Sequence, residues 1–407
     1  MSYQYHTLKN GIRIVFRRTA SPVAHSGIYI NVGSRDELIP SEEGTAHFIE
    51  HSIFKGTEHR RAYHILSRID GVGGELNAFT TKEETCIYAS SLCHHLERCL
   101  ELFADILFHS TFPQHEIDRE KDVVIEEIDS YKDYPSEQIA DDYEELAFKG
   151  HPLSHSILGS KKNVRHFDTP HLKDFLRRNY TTDRMVISIV GNAEFGKVVY
   201  LCEKYFGEYP LRSSAADRSL PPRFQHFNVS VNRHSHQLHV MAGCAAYDVH
   251  DPRRVPFTLL NNLLGGPAMN SRLNMSIRER YGFCYTVESA YSVFSDTGLF
   301  TVYAGIDAEA RDRYVELLIR ELRHFCTTPL TSQQLKAAQQ QLIGQMAVSS
   351  DLSLNEMQSI GKSHLVYGKV DTLEEMQRDI LAVTSSQIQD IAIDLFSEDK
   401  FSFLFYS

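Results

Sequence analysis

Coarse hydrophobic periodicity divides the N-terminal part of the chain into short strands and amphipathic helices. Strands are predicted near 3–8, 12–17 and 25–33, the first two meeting at the turn Lys9-Asn10-Gly11. The period then lengthens, predicting a helix over 41–55 and a second near 60–70. A strand at about 84–91 is followed by helices near 94–108 and 114–133, and a helix at 169–179 leads into the strand RMVISIVG. Residues 208–227, EYPLRSSAADRSLPPRFQHF, gather Pro, Ser and charge with little apolar content and read as a linker.

Beyond that linker the order of elements starts again. FDTPHLKDFLRRNYTTDRMVISIVG (167–191) lies over VTSSQIQDIAIDLFSEDKFSFLFYS (383–407) without a gap. Each has a Ser/Thr/Asp cap, an amphipathic helix, an aromatic (Tyr180, Phe396), a turn with an acidic–basic pair (Asp183-Arg184, Asp399-Lys400) and a closing strand. The expected fold is α+β: two similar sandwich-like halves, each a mostly antiparallel sheet packed with helices. The expected division is 1–212, a linker at 213–224, and 225–407.

Composition narrows the function. A chain of 407 residues, 42% hydrophobic, exceeds the usual domain of ~100–200 residues, which favours two domains. A net charge of -11 without a basic stripe argues against nucleic acid. No run of about 18 apolar residues offers a membrane span. The N-terminus has no basic segment followed by an apolar one, so a signal peptide is not expected. Seven cysteines, an odd number with no C-x-x-C, disfavour a disulfide framework and a thiolate zinc site. They read as small core residues in a reducing compartment, and the expected location is cytoplasmic.

Candidate chemistry lies in EGTAHFIEHSIFKGT, residues 43–57. At ~100° per residue, His47 and His51 project from one helix face, one turn apart, with Glu50 beside His51. Two imidazoles so placed can meet one tetrahedral zinc. A catalytic zinc needs a third protein ligand and an open position for water, whose proton a glutamate takes. H-x-x-E-H inverts the commoner H-E-x-x-H. The pattern arises by chance about once in ten chains of this composition, and histidine-rich surface helices are common. The second half has no such motif.

For the third ligand, EIDREKDVVIEEIDSYKDYP (116–135) offers Glu126 and Glu127. On a helical wheel Ile117, Val123, Val124, Ile128 and Tyr131 cluster on one face. Glu120 and Glu127, seven apart, fall within that face, and Glu126 points to solvent. Carboxylates among apolar side chains need a cation or strong donors. Glu127 is therefore the expected third ligand and Glu120 its supporter. The alternative is an amphipathic helix with tolerated edge glutamates.

GTAHFIEHSIFKGT, GGELNAFTTKEETCIYAS and EKDVVIEEI together resemble the pitrilysin/insulinase family of zinc peptidases, particularly its two-domain members similar to the mitochondrial processing peptidase. The resemblance implies a zinc endopeptidase with one Zn2+ per chain, held by His47, His51 and Glu127, with Glu50 as general base. LLNNLLGGPAMNSRLNMSIRERYGFCYTVES (259–289) resembles the family's second-half signature, an Arg and a Tyr seven residues apart. Its spacing picks Arg278 over Arg280 and pairs it with Tyr285, implying a role at the oxyanion of a tetrahedral intermediate. Asn77-Ala78-Phe79-Thr80 would edge a sheet beside the zinc and receive an extended peptide or unfolded polypeptide as an added strand. Ser52 stands where a larger apolar residue is common. Single-chain relatives carry four such domains, so two copies of this chain imply a clamshell homodimer. In it, His47, His51 and Glu127 of one subunit would face Arg278 and Tyr285 of the other. The same fold also serves as a non-catalytic structural subunit, but such subunits typically lose these ligands.

Overall fold

A computed structural model describes residues 2–213, 218–233, 235–397 and 400–407. Residues 214–217 of the expected linker and Asp399 of the repeated turn lie outside the described residues. The chain forms two compact units. One comprises Met1–Asp129, His155–Ser219 and Val348–Thr372, and the other Ser130–Ser154, Leu220–Ala347 and Leu373–Ser407. The chain thus changes unit near the expected linker, but two helical segments are also exchanged. Amphipathic periodicity shows that a helix has a face to bury; it does not show which sheet will bury it.

The first unit is built on β1 (Gln4–Thr7), β2 (Arg13–Arg18), β3 (Val23–Ile30), β4 (Glu75–Thr80), β5 (Thr85–Leu92) and β6 (Met185–Gly191). Their order is β1-β2-β6-β3-β5-β4, with β2 and β6 parallel and the other pairs antiparallel. Every residue of the central β6 is buried because both faces of the sheet are covered. Ile187 and Ile189 pack with Leu100, Phe103 and Leu201 on one face. Val186 and Val190 pack with Tyr29, Met357, Ile360 and Leu365 on the other. The second cover is the helix Ser353–Tyr367, one of the exchanged segments.

In the second unit β7 (Asn228–Val231), β8 (Leu238–Ala246), β9 (Cys284–Val293), β10 (Gly298–Ile306) and β11 (Ser402–Tyr406) follow the order β7-β11-β8-β10-β9. Again only one pair, β7 with β11, is parallel. This is the first sheet's order without β1: in each, the closing strand slots in beside the first by a parallel pairing. The aligned segments 167–191 and 383–407 occupy corresponding places. Asp168 caps its helix through His171 N, and Thr384 caps the other through Gln387 N. The fold is α+β with two similar halves. Here the exchanged helix Pro135–Ala147 covers the sheet, burying Ile139 and Tyr143 against Met241, Leu404 and Tyr406.

All seven cysteines are free, and five of them are buried. Among the described residues no helix is long and apolar enough to cross a membrane.

The covering helix sits close to the first sheet because residue 361 has no side chain. A Cβ there would lie 2.5 Å from the Tyr29 ring and 2.9 Å from Ser188 Cβ. Gly361→Val is expected to cost about 1–3 kcal/mol through overpacking. Gly344, in the helix Ser332–Asp351, has nothing within 4 Å of such a Cβ, and Gly344→Ala should gain about 0.5–1 kcal/mol. Urea unfolding midpoints of the two variants check the contrast, and a wild-type midpoint for Gly361→Val would contradict it.

Candidate metal centre

The helix carrying the two histidines spans Thr45–Ser52, shorter than the predicted 41–55 because its start is pinned. Gly44 adopts φ +89°, and a Cβ there would lie 2.7 Å from the Leu158 carbonyl oxygen. The buried Glu37 carboxylate then takes the first free amides, with Oε2 2.9 Å from Gly44 N and Oε1 2.8 Å from Ala46 N. Periodicity passes over Glu37, since a residue acting eight positions before the helix leaves no mark in a helical pattern. Phe48 and Ile49 are fully buried, and Thr45 Oγ1 meets His171 Nε2 at 2.9 Å.

One turn apart on this helix, the His47 and His51 rings have centroids 4.7 Å apart. Glu127 approaches from the helix Gln114–Lys132. Its Oε2 lies 3.7 Å from His47 Nε2 and 3.5 Å from His51 Nε2, and one donor atom from each of the three residues falls within 4.8 Å of the others. This Oε2 is buried and makes no hydrogen bond among the described residues. A tetrahedral zinc with ligands at ~2.0–2.2 Å sets neighbouring donors about 3.3–3.6 Å apart, close to this spacing. Two imidazoles and a carboxylate, with a partnerless oxygen between them, fit a zinc ion.

Burial, reinforced by the neighbouring His51, pulls His47 down to about 3, so its ring is neutral and can offer a lone pair. At His51 burial also pulls down, but the Glu120 hydrogen bond and the charges of Glu127, Glu120 and Glu50 outweigh it and raise the pKa. Glu50 is raised by burial, against the opposing pull of Thr80 and then of His51.

Glu120 is buried, with Oε1 2.9 Å from His51 Nδ1 and Oε2 2.6 Å from Lys55 Nζ. The helical wheel needs two corrections. Val123 is 50% exposed, and the Glu127 side chain is 42% exposed. The buried strip is Ile117, Glu120, Val124 and Ile128, narrower than the wheel suggests, and Glu127 sits on its edge with only its inner oxygen enclosed. Glu126 is exposed. Ser52 is buried, and its hydroxyl has no partner among the described residues.

Asn77, Ala78, Phe79 and Thr80 lie on β4, an edge strand of the first sheet, which periodicity did not predict as a strand. They pair with Tyr88, Ile87, Cys86 and Thr85 of β5, and the Thr45–Ser52 helix packs on β4. Arg278 and Tyr285 belong to the second unit. Arg278 sits on a π-helical turn, Asn274–Glu279, and donates to Glu279 at 2.9 Å and Asn274 at 3.4 Å. Tyr285 is the second residue of β9 and is 80% exposed.

Comparison with known proteins matches residues 13–161 to the family "Insulinase (Peptidase family M16)" and residues 166–342 to "Peptidase M16 inactive domain". The chain is 34% identical to the uncharacterized zinc protease YmxG of Bacillus subtilis, over 97% of this chain and 96% of that one. An uncharacterized zinc protease of Rickettsia bellii is 30% identical over 98% and 97% of the two chains. Among solved structures, a Helicobacter pylori protease superposes with a TM-score of 0.91 at 21% identity, covering 100% of this chain and 99% of that one. A peptidase M16 inactive domain of Pseudomonas fluorescens gives 0.92 at 20% identity, covering 100% and 98%.

The geometry predicts a ranking of zinc affinities. Glu127→Gln should weaken binding sharply and Glu126→Gln should leave it unchanged. Glu120→Gln should fall between them, at roughly 10–100-fold, as partners behind a ligand usually do. Zinc titration against a competing chelator measures all three, and a greater loss at Glu126 than at Glu127 would rule out the assignment.

Proposed function

Given that the chain belongs to the insulinase family (peptidase family M16), we propose that it is a zinc-dependent endopeptidase cleaving extended peptides or small unfolded polypeptides. The observation that carries this reading is the approach of His47 Nε2 and His51 Nε2 to a buried Glu127 oxygen that has no hydrogen-bond partner among the described residues. His47, His51 and Glu127 would hold one zinc per chain. When bound, zinc supplies the acidity that makes water nucleophilic near neutral pH and polarises a carbonyl.

Glu50, on the same helix and raised by burial, takes the proton of the attacking water and passes it to the leaving amine. Glu120 accepts the His51 Nδ1 hydrogen and keeps the ring's other nitrogen free. The exposed edge of β4 receives the substrate as an added strand at Asn77–Thr80, through backbone hydrogen bonds largely indifferent to sequence. Arg278 and Tyr285 are assigned to the developing oxyanion. The match of the second half to an inactive domain agrees with a single H-x-x-E-H, in the first half.

The rival reading is a non-catalytic partner subunit of the same fold, and the complete set of His47, Glu50, His51 and Glu127 weighs against it. Glu50→Gln should keep zinc and lose peptide hydrolysis, because an amide cannot accept the proton. Peptide cleavage by this variant at the wild-type rate would remove Glu50 from the mechanism, and a zinc-loaded wild type without activity would favour the partner subunit.

We further propose that two copies form a homodimer enclosing the substrate in a chamber, with Arg278 and Tyr285 of one acting beside the zinc of the other. Mixing inactive Glu50→Gln with inactive Tyr285→Phe should then restore activity. Random exchange makes about half the dimers mixed, each with one intact site, so roughly a quarter of wild-type activity should return. No recovery despite subunit exchange seen in a tag pull-down would mean that each chain builds its site alone.

A further inference from the structure

Lys55 lies outside both the histidine motif and the donor set, yet the geometry points to it as a positioning residue for His51, acting through Glu120. The inference rests on the zinc reading above. Glu120 is 6% exposed, and both its oxygens are committed, Oε1 to His51 Nδ1 at 2.9 Å and Oε2 to Lys55 Nζ at 2.6 Å. An ammonium only donates, so Oε2 is an acceptor. Held this way, the carboxylate presents Oε1 as an acceptor too, and His51 Nδ1 must carry the ring hydrogen. The lone pair is then on Nε2, the atom 3.5 Å from Glu127 Oε2.

The lysine can hold Glu120 because its own backbone is anchored on both sides. Lys55 N donates to Ser52 O at 3.0 Å, just past the helix end. The next residue's carbonyl, Gly56 O, accepts from Thr111 N at 3.0 Å, and Thr57 Oγ1 donates to the buried Asp105 at 2.9 Å. Without Lys55, Glu120 Oε2 would be an enclosed oxygen with no partner, and the carboxylate would be free to turn away from His51.

A lysine near a zinc could act in two ways, of opposite sign. As a bare positive charge it repels the ion, and its removal tightens binding. As a positioning group its removal weakens binding. Chelator-competition titrations of Lys55→Met and Lys55→Gln should show zinc affinity reduced about 10-fold, the low end for groups behind a ligand. Lys55→Arg, which keeps a cationic donor, should recover most of the loss. In a Glu120→Gln background Lys55→Met should add little, because both changes break one path.

Unchanged or tighter zinc binding in Lys55→Met and Lys55→Gln, or a loss fully additive with Glu120→Gln, would overturn the inference. A second readout needs no metal. In metal-free protein with 15N-labelled histidine, at a pH where the His51 ring is neutral, its signal, assigned by its absence in His51→Asn, should report Nδ1–H in wild type and Lys55→Arg. Lys55→Met should shift it toward Nε2–H, and an unchanged tautomer would refute the role. Wild type that binds no zinc would reject the zinc reading, while the tautomer still decides on Lys55. Zinc-binding wild type with an unaffected Lys55→Met rejects this inference alone.

Discussion

A helix bearing histidines can be sunk into a core only if the polar groups carried in with it find partners, and the helix Thr45–Ser52 is sunk almost completely. Much of the surrounding structure meets that demand. Glu37 takes the amides at its start, Glu120 takes the outer nitrogen of His51, and Lys55 takes the other Glu120 oxygen. Among the described residues the groups left without a hydrogen-bond partner here include the Ser52 hydroxyl, His47 Nδ1 and, facing two imidazole nitrogens, the Glu127 oxygen. Low dielectric makes each such group costly when unpaired, and the same low dielectric makes it strong toward a cation.

The two halves show how little of this chemistry belongs to the fold. Their sheets share one strand order, with a closing strand slotted in by a parallel pairing, yet only the first half carries the H-x-x-E-H. The second half has instead a π-helical turn at Arg278. Such turns open a helix locally and are frequent at functional sites. A common scaffold therefore carries different side-chain sets, and function resides in the atoms of a site and not in the architecture.

Much of the scaffold was legible because each strand and helix repeats a period set by backbone geometry. The alignment of 167–191 with 383–407 anticipated the corresponding places of β6 and β11, even though few residues match. β4 was not legible from periodicity, because it is only six residues long and its alternation of exposed and partly buried positions breaks at Phe79-Thr80. The wheel put Glu126 on the exposed side but misplaced Val123 and set Glu127 deeper than its edge position, since it assumes a broad buried face where this helix has a narrow one.

The sequence by itself determined the one-turn spacing of His47 and His51, the seven-residue spacing of Glu120 and Glu127, and the repeated order of elements. All of these follow from local geometry, which neighbouring residues dictate. Tertiary structure alone decided that the Glu127 oxygen meets those two nitrogens, that Lys55 closes on Glu120, and that the helices Pro135–Ala147 and Ser353–Tyr367 cover the sheets they do. These contacts join segments far apart in the chain. Their choice depends on which surfaces bury one another best, a comparison over the whole core that no local pattern encodes.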